Sequence, residues 1–157
     1  MNALQQWAIR HSVSDRALAE LALLHMPQFE AIPGGSEAML QQSLRVDAAC
    51  RGNALWRNNS GALLDDTGRL VRYGVGHDSK RLNDVWKSSD LIGITPVEWH
   101  GRRFGVFTAV ECKHPGWHMT PSDARAKAQQ AFGQTVESLG GIFTFATSVA
   151  DYEAVTR

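Results

Sequence analysis

Long apolar runs are what this chain most plainly lacks. No stretch approaches the roughly 20 residues that a membrane helix needs, and the N-terminus carries no signal-peptide core. Cysteine is scarce: Cys50 and Cys112 are the only two. They have no metal-type spacing and fit a reducing cytoplasm, which is the expected location. An excess of either charge is missing as well, with 16 Lys and Arg against 16 Asp and Glu. Composition therefore gives no overall pull toward nucleic acid. Repeats and low-complexity segments are absent. What remains is a chain of 157 residues, 43% hydrophobic and 20% charged, which suits a soluble globular domain able to bury about two-thirds of its unfolded surface.

The balanced total hides an uneven distribution. Between Arg51 and Lys127 there are 12 Lys and Arg against 8 Asp and Glu. That middle segment can carry a basic surface for phosphates, or simply solvated charge.

Ser14 can cap a helix from Asp15 to about His25, and Met26 to Gly35, with Pro27 and Pro33, reads as a linker. Residues 1–35 are thus expected to be a helical extension, and residues 36–157 the main domain. Ser36 offers an N-cap for a helix from Glu37 to about Cys50, closed by Gly52, with Leu40, Leu44 and Ala48 inward. Glu37 faces the same way, as a helix-dipole partner or a site residue. Short strands follow at Asn53–Arg57, Gly61–Leu64 and Arg69–Tyr73. Gly74 to Ser88 reads as a long polar loop with Lys80, Arg81 and Lys87, its Trp86 tucked onto the core. Thr120-Pro121-Ser122-Asp123 signals a helix capped by Thr120 and running to about Leu139. Its stripe is Ala124, Ala128, Ala131, Phe132, Val136 and Leu139, with Gln129 at the edge. Ile142 to Ser148 is a last strand, followed by a short tail. His114 and His118 read as exposed loop histidines, since no cysteine or carboxylate stands at a zinc-binding spacing.

The chemistry gathers between Ser89 and Lys113. Two apolar runs around Trp99-His100-Gly101-Arg102 read as a β-hairpin. A hairpin brings the start of its first strand beside the end of its second, so Asp90 lands next to Glu111. Strand alternation points Glu111 and Lys113 to one face. The second strand is apolar on both faces, so it is expected to be central and covered on both sides. Two carboxylates and an ammonium at one sheet end suit a divalent cation with a catalytic lysine.

Asp90, then Glu111-Cys112-Lys113, then a helix bearing Gln129, resemble the Asp…Glu-X-Lys pattern of restriction-endonuclease-like PD-(D/E)XK nucleases. The finer resemblance is to the VRR-NUC branch, found in phage proteins and eukaryotic repair nucleases. Trp56-Arg57-Asn58-Asn59, Val71-Arg72-Tyr73-Gly74, Ser89-Asp90-Leu91-Ile92-Gly93, Glu111-Cys112-Lys113, Gln129-Gln130-Ala131-Phe132 and Gly140-Gly141 are similar to blocks of that branch, in its order. The match runs from about Ser36 to Asp151.

The resemblance implies an α/β fold with a restriction-endonuclease-like core, a central mixed sheet flanked by helices in αβββαβ order, and hydrolysis of DNA phosphodiester bonds with Mg²⁺ or Mn²⁺. Asp90, Glu111 and the backbone carbonyl of Cys112 would ligate the metal, with Glu37 a further candidate. Lys113 would orient or deprotonate the attacking water, and Gln129 would hold that water or the scissile phosphate. Arg57, Asn58 and Arg72 from the matching blocks, with Lys80, Arg81 and Lys87 from the basic loop, are the residues expected to contact DNA. A homodimer would supply two sites for two strands. For a phage-encoded member the location would be the bacterial host cytoplasm.

Two other readings stand beside this one. The fold can serve as a non-catalytic DNA-binding or assembly module, which binds without cutting. Glu111 and Lys113 can also be a surface ion pair on a two-sided strand, which leaves Asp90 and Gln129 unexplained.

Overall fold

The structure, a computed structural model, describes residues 6, 9–14 and 36–156. The chain divides into two compact units, Met1–Glu30 and Ala31–Arg157. In the first, Gln6, Ile9 and Arg10 are helical; the helix expected from Asp15 and the linker after it lie outside the described residues. No described helix is long and apolar enough to cross a membrane.

The second unit begins with α1, Glu37–Cys50. The Ser36 hydroxyl accepts from the Met39 N–H at 3.4 Å, satisfying one of the helix's first free donors. The chain leaves the helix through Gly52 at φ +78°, a left-handed conformation that glycine adopts without strain. Leu44 and Ala48 are fully buried and Leu40 packs beside them. Burial of a leucine side chain contributes about 2 kcal/mol.

Four strands form one mixed sheet in the order β1 (Ala54–Arg57), β4 (Leu91–Trp99), β5 (Arg102–Cys112), β6 (Ile142–Ala146). The first two pairings are antiparallel, and β5 runs parallel to β6. The β4–β5 turn has positive φ at both His100 (48°) and Gly101 (71°), as a two-residue hairpin of this twist requires. Between β5 and β6 the chain passes through α3, Ala124–Ser138. That helix ends with Gly140 N–H on Glu137 O and Gly141 N–H on Val136 O, which satisfies two of its last carbonyls.

Helices cover both faces. Leu44, Leu55, Leu91, Val110, Cys112, Ala146 and Tyr152 form the core on one side. Ala109, Phe132 and Val136, with Trp86, Ile92 and Phe143 against them, form the core on the other. Trp86 meets Phe132 edge-on at 4.9 Å and donates to Thr135 Oγ1 at 3.0 Å.

The sheet and its helices follow the expected order of helix, three strands, helix and strand, with additions. A two-stranded sheet, β2 (Gly61–Leu64) with β3 (Leu70–Tyr73), is inserted after β1 and does not join the main sheet. Asp65 closes its turn, taking hydrogen bonds from Thr67 and from Arg69 N–H. The expected polar loop then contains a short helix, α2 (Lys80–Val85), which Ser79 caps.

Three boundaries also differ. Helix α3 is capped by Asp123, not Thr120: the Asp123 carboxylate accepts from Ala126 N–H at 2.8 Å. A charged cap oxygen suits the positive helix end better than a hydroxyl. The last strand stops at Ala146, and the expected tail is a helix, α4 (Val149–Val155). Ser148 and Asp151 form a reciprocal capping box there, and Tyr152 is fully buried. Strand β5 is buried only over Thr108–Cys112, because its first half projects past the helices and leaves Phe104 and Phe107 exposed.

Candidate functional site

The C-terminal end of β5 carries the expected triplet. Lys113 N–H donates to Ala146 O at 2.8 Å, so pairing with β6 holds the backbone just past the strand's end. Alternation turns Cys112 into the α1 core, where it is fully buried, and turns Glu111 and Lys113 toward α3. Both are buried, at 1% and 7% exposure, which excludes a surface ion pair.

Asp90 stands at the head of β4, beside Glu111 as the Leu91–Val110 register dictates. Its N–H donates to Glu111 Oε2 at 3.2 Å, and Cys112 N–H donates to Asp90 Oδ2 at 3.1 Å. Asn58 latches this corner to β1. Its N–H donates to Asp90 O at 2.8 Å, and its amide donates to Ser88 Oγ and Ser89 O.

Gln129 reaches the same point from α3. It is fully buried, not at a stripe edge, because the small neighbours Ala126, Ala128 and Gly133 let the helix lie close to the sheet. A Cβ on Gly133 would sit 2.2 Å from Phe143 Cδ1. Gln129 Nε2 donates to Glu111 Oε1, while Lys113 Nζ donates to Glu111 Oε1 at 3.1 Å and to Gln129 Oε1 at 2.9 Å. The ammonium also lies 5.2 Å from the Trp117 ring centre and 5.7 Å from that of Phe145. Aromatic faces attract a cation at such distances.

Burial and the nearby Asp90 charge push the Glu111 carboxyl up to about 7, against the opposing pull of Lys113 and Arg125. Asp90 is raised too, chiefly by burial, with Glu37 adding to the rise and the Cys112 N–H bond and Arg125 opposing it. Burial, reinforced by Asp90 and Glu111, raises the Cys112 thiol so far that it is no nucleophile at neutral pH.

Among the described residues no group of three His, Cys, Asp or Glu side chains converges. Two carboxylates do, and a small hard cation that keeps most of its waters needs no more from a protein. Glu111 rises through burial and the Asp90 charge, and Asp90 through burial and the Glu37 charge; a divalent cation would relieve both. The donor set therefore fits Mg²⁺ or Mn²⁺. Glu37, exposed in the first turn of α1, is near enough for its charge to be felt at Asp90.

Of the residues expected to contact DNA, Asn58 and Lys87 border a cavity of about 510 Å³ that Asp90 and Gln129 also line. Arg57 and Arg81 are exposed elsewhere. Lys80 pairs with Asp84 at 2.8 Å, and Arg72 meets His77 Nε2 at 3.3 Å. Tyr73, Ser89 and Arg125 line the same cavity and were not anticipated. Arg125 had a readable signal, since it precedes Gln129 by one helical turn and shares its face. Comparison with family models, with curated proteins and with solved structures finds no match for the chain.

Proposed function

We propose that this chain is a metal-dependent deoxyribonuclease of the VRR-NUC branch of restriction-endonuclease-like enzymes, hydrolysing DNA phosphodiester bonds. One observation carries the reading: Asp90, Glu111, Lys113 and Gln129 meet in a single hydrogen-bonded group at the end of a central strand. A buried carboxylate raised to about 7 beside a cavity is a mark of functional sites. A merely structural ion pair requires neither Asp90 nor Gln129.

Asp90, Glu111 and the Cys112 carbonyl would hold Mg²⁺ or Mn²⁺. Such a cation lowers the pKa of a bound water and offsets charge on the phosphate oxygens. Lys113 is held close to Glu111 by its bond to Gln129, so its ammonium can stabilise negative charge arising there. Gln129 spends both amide atoms on Glu111 and Lys113, which sets the direction of each.

The test is cleavage of single-stranded, duplex, flap and four-way DNA with Mg²⁺ or Mn²⁺. Glu111→Ala and Lys113→Ala should abolish cutting while the far-ultraviolet circular dichroism stays native. Variants that cut as well as wild type would end the assignment.

A further inference from the structure

The cavity beside Asp90 holds more than the cleavage chemistry uses. Tyr73 stands at the end of β3, opposite Gly61, and the residue is 44% exposed. Gly61 leaves room for the ring, and Gly74, the residue that follows, can lie against Ser60. A Cβ on Gly61 would lie 2.6 Å from Tyr73 Oη, and one on Gly74 (φ +102°) would lie 2.4 Å from Ser60 Cβ. The phenol end of the ring therefore lies against the bare backbone of Gly61, and the half-exposed residue borders the cavity.

Two cations share the cavity. Lys87 N–H donates to Ala128 O at 3.0 Å, which ties that residue to α3 close to Arg125 and Gln129. Neither Lys87 nor Arg125 forms an ion pair with a described residue. Ser89, 1% exposed, also lines the cavity, and its hydroxyl has no hydrogen-bond partner among the described residues. An aromatic ring, two cations outside any ion pair of the described residues and a buried hydroxyl answer to a base, a phosphate and a polar ligand atom. At about 510 Å³ the space is large enough for one nucleotide.

We infer that this cavity is a subsite for one unpaired nucleotide, its base stacked on Tyr73 and its phosphate against Lys87 and Arg125. The inference rests on the nuclease reading for its biological use, but not for its binding. It makes the substrate class DNA with an unpaired nucleotide at the cleavage position, and disfavours continuous duplex.

The experiment uses the full chain in Ca²⁺ buffer and oligonucleotides carrying 2-aminopurine at an unpaired or a paired position. Stacking on Tyr73 should quench the unpaired probe. Tyr73→Phe should retain the quenching, whereas Tyr73→Ala should lose it and bind about tenfold more weakly. Lys87→Ala and Arg125→Ala should each weaken binding and lower the slope of log affinity against log salt by about 1. Equal affinity for paired and unpaired probes, or unchanged quenching in Tyr73→Ala, would overturn the subsite. Quenching without cleavage in Mg²⁺ would sink the nuclease reading alone, and cleavage without quenching would sink the subsite alone.

Discussion

Asp90 donates its backbone N–H to the Glu111 carboxylate, and the residue after Glu111 returns a backbone N–H to the Asp90 carboxylate. Each acidic side chain is thus held by main chain that the other one's strand supplies. The two charges stay close because the hairpin register gives them no room to separate.

That closeness makes stability depend on pH in an unusual direction. Glu111 has a folded value of about 7 against an ordinary 4.5, so the folded chain holds this proton more tightly than the unfolded chain. The resulting stability is full below the ordinary value and is lost as pH climbs through about 7, by on the order of 3 kcal/mol. Thermal melts without added cation should fall between pH 5.5 and 8, and Glu111→Gln should flatten the trend. Mg²⁺ should raise the melting temperature more at pH 8 than at pH 5.5, with a chelator reversing the gain.

Replacing Lys113 by methionine keeps most of its bulk and removes the counter-charge. Glu111 is then left buried beside Asp90, at a cost of about 3 kcal/mol at pH 8. Protonation relieves that cost, so the deficit should shrink below pH 6. Urea unfolding at the two pH values gives the comparison, and an equal deficit at both would contradict the pairing.

Gly93 pairs with Leu55, and a Cβ there would meet Ala54 O at 1.8 Å. The obstacle is backbone, so β1 must part from β4 and take Asn58 away from Asp90. Gly93→Ala should cost about 3 kcal/mol or more. At Gly105 the neighbour is only Ile94 Cγ2, at 2.9 Å. Gly105→Ala should therefore cost less than about 1 kcal/mol in the same denaturation series.

Ser148→Ala should lose about 1 kcal/mol through the cap of α4. Its partner Asp151 is raised by burial but lowered further by bonds from Thr147 and Ser148, with a net lowering. The stability from this carboxylate is thus present at neutral pH and lost as pH falls through the folded value, below the ordinary 3.8. Asp151→Asn should be less stable than wild type at pH 7, and the gap should close toward pH 3.

How much of this could be read from the chain depends on how local each signal is. Helix α1 carries its own start and stop, Ser36 and Gly52, and the structure follows them residue for residue. The β4–β5 hairpin is equally local, since its turn residues and apolar runs are contiguous. Gln129 lies deeper than the apolar stripe implies because Ala126, Ala128 and Gly133 surround it, and their small size governs approach distance without adding much hydrophobicity. Helix α4 was missed although Ser148 and Asp151 stand at capping-box spacing, because so short a run carries little periodicity. The cavity formed by Tyr73, Lys87 and Arg125 draws on three separate segments and has no contiguous signature.

The bare outer half of the β4–β5 hairpin has a practical consequence. With nine residues in β4 at about 3.3 Å each, the His100-Gly101 tip stands roughly 30 Å from Asp90. A dye or a surface tether attached there would leave the carboxylates undisturbed, which makes the tip a natural handle for watching one molecule at a time.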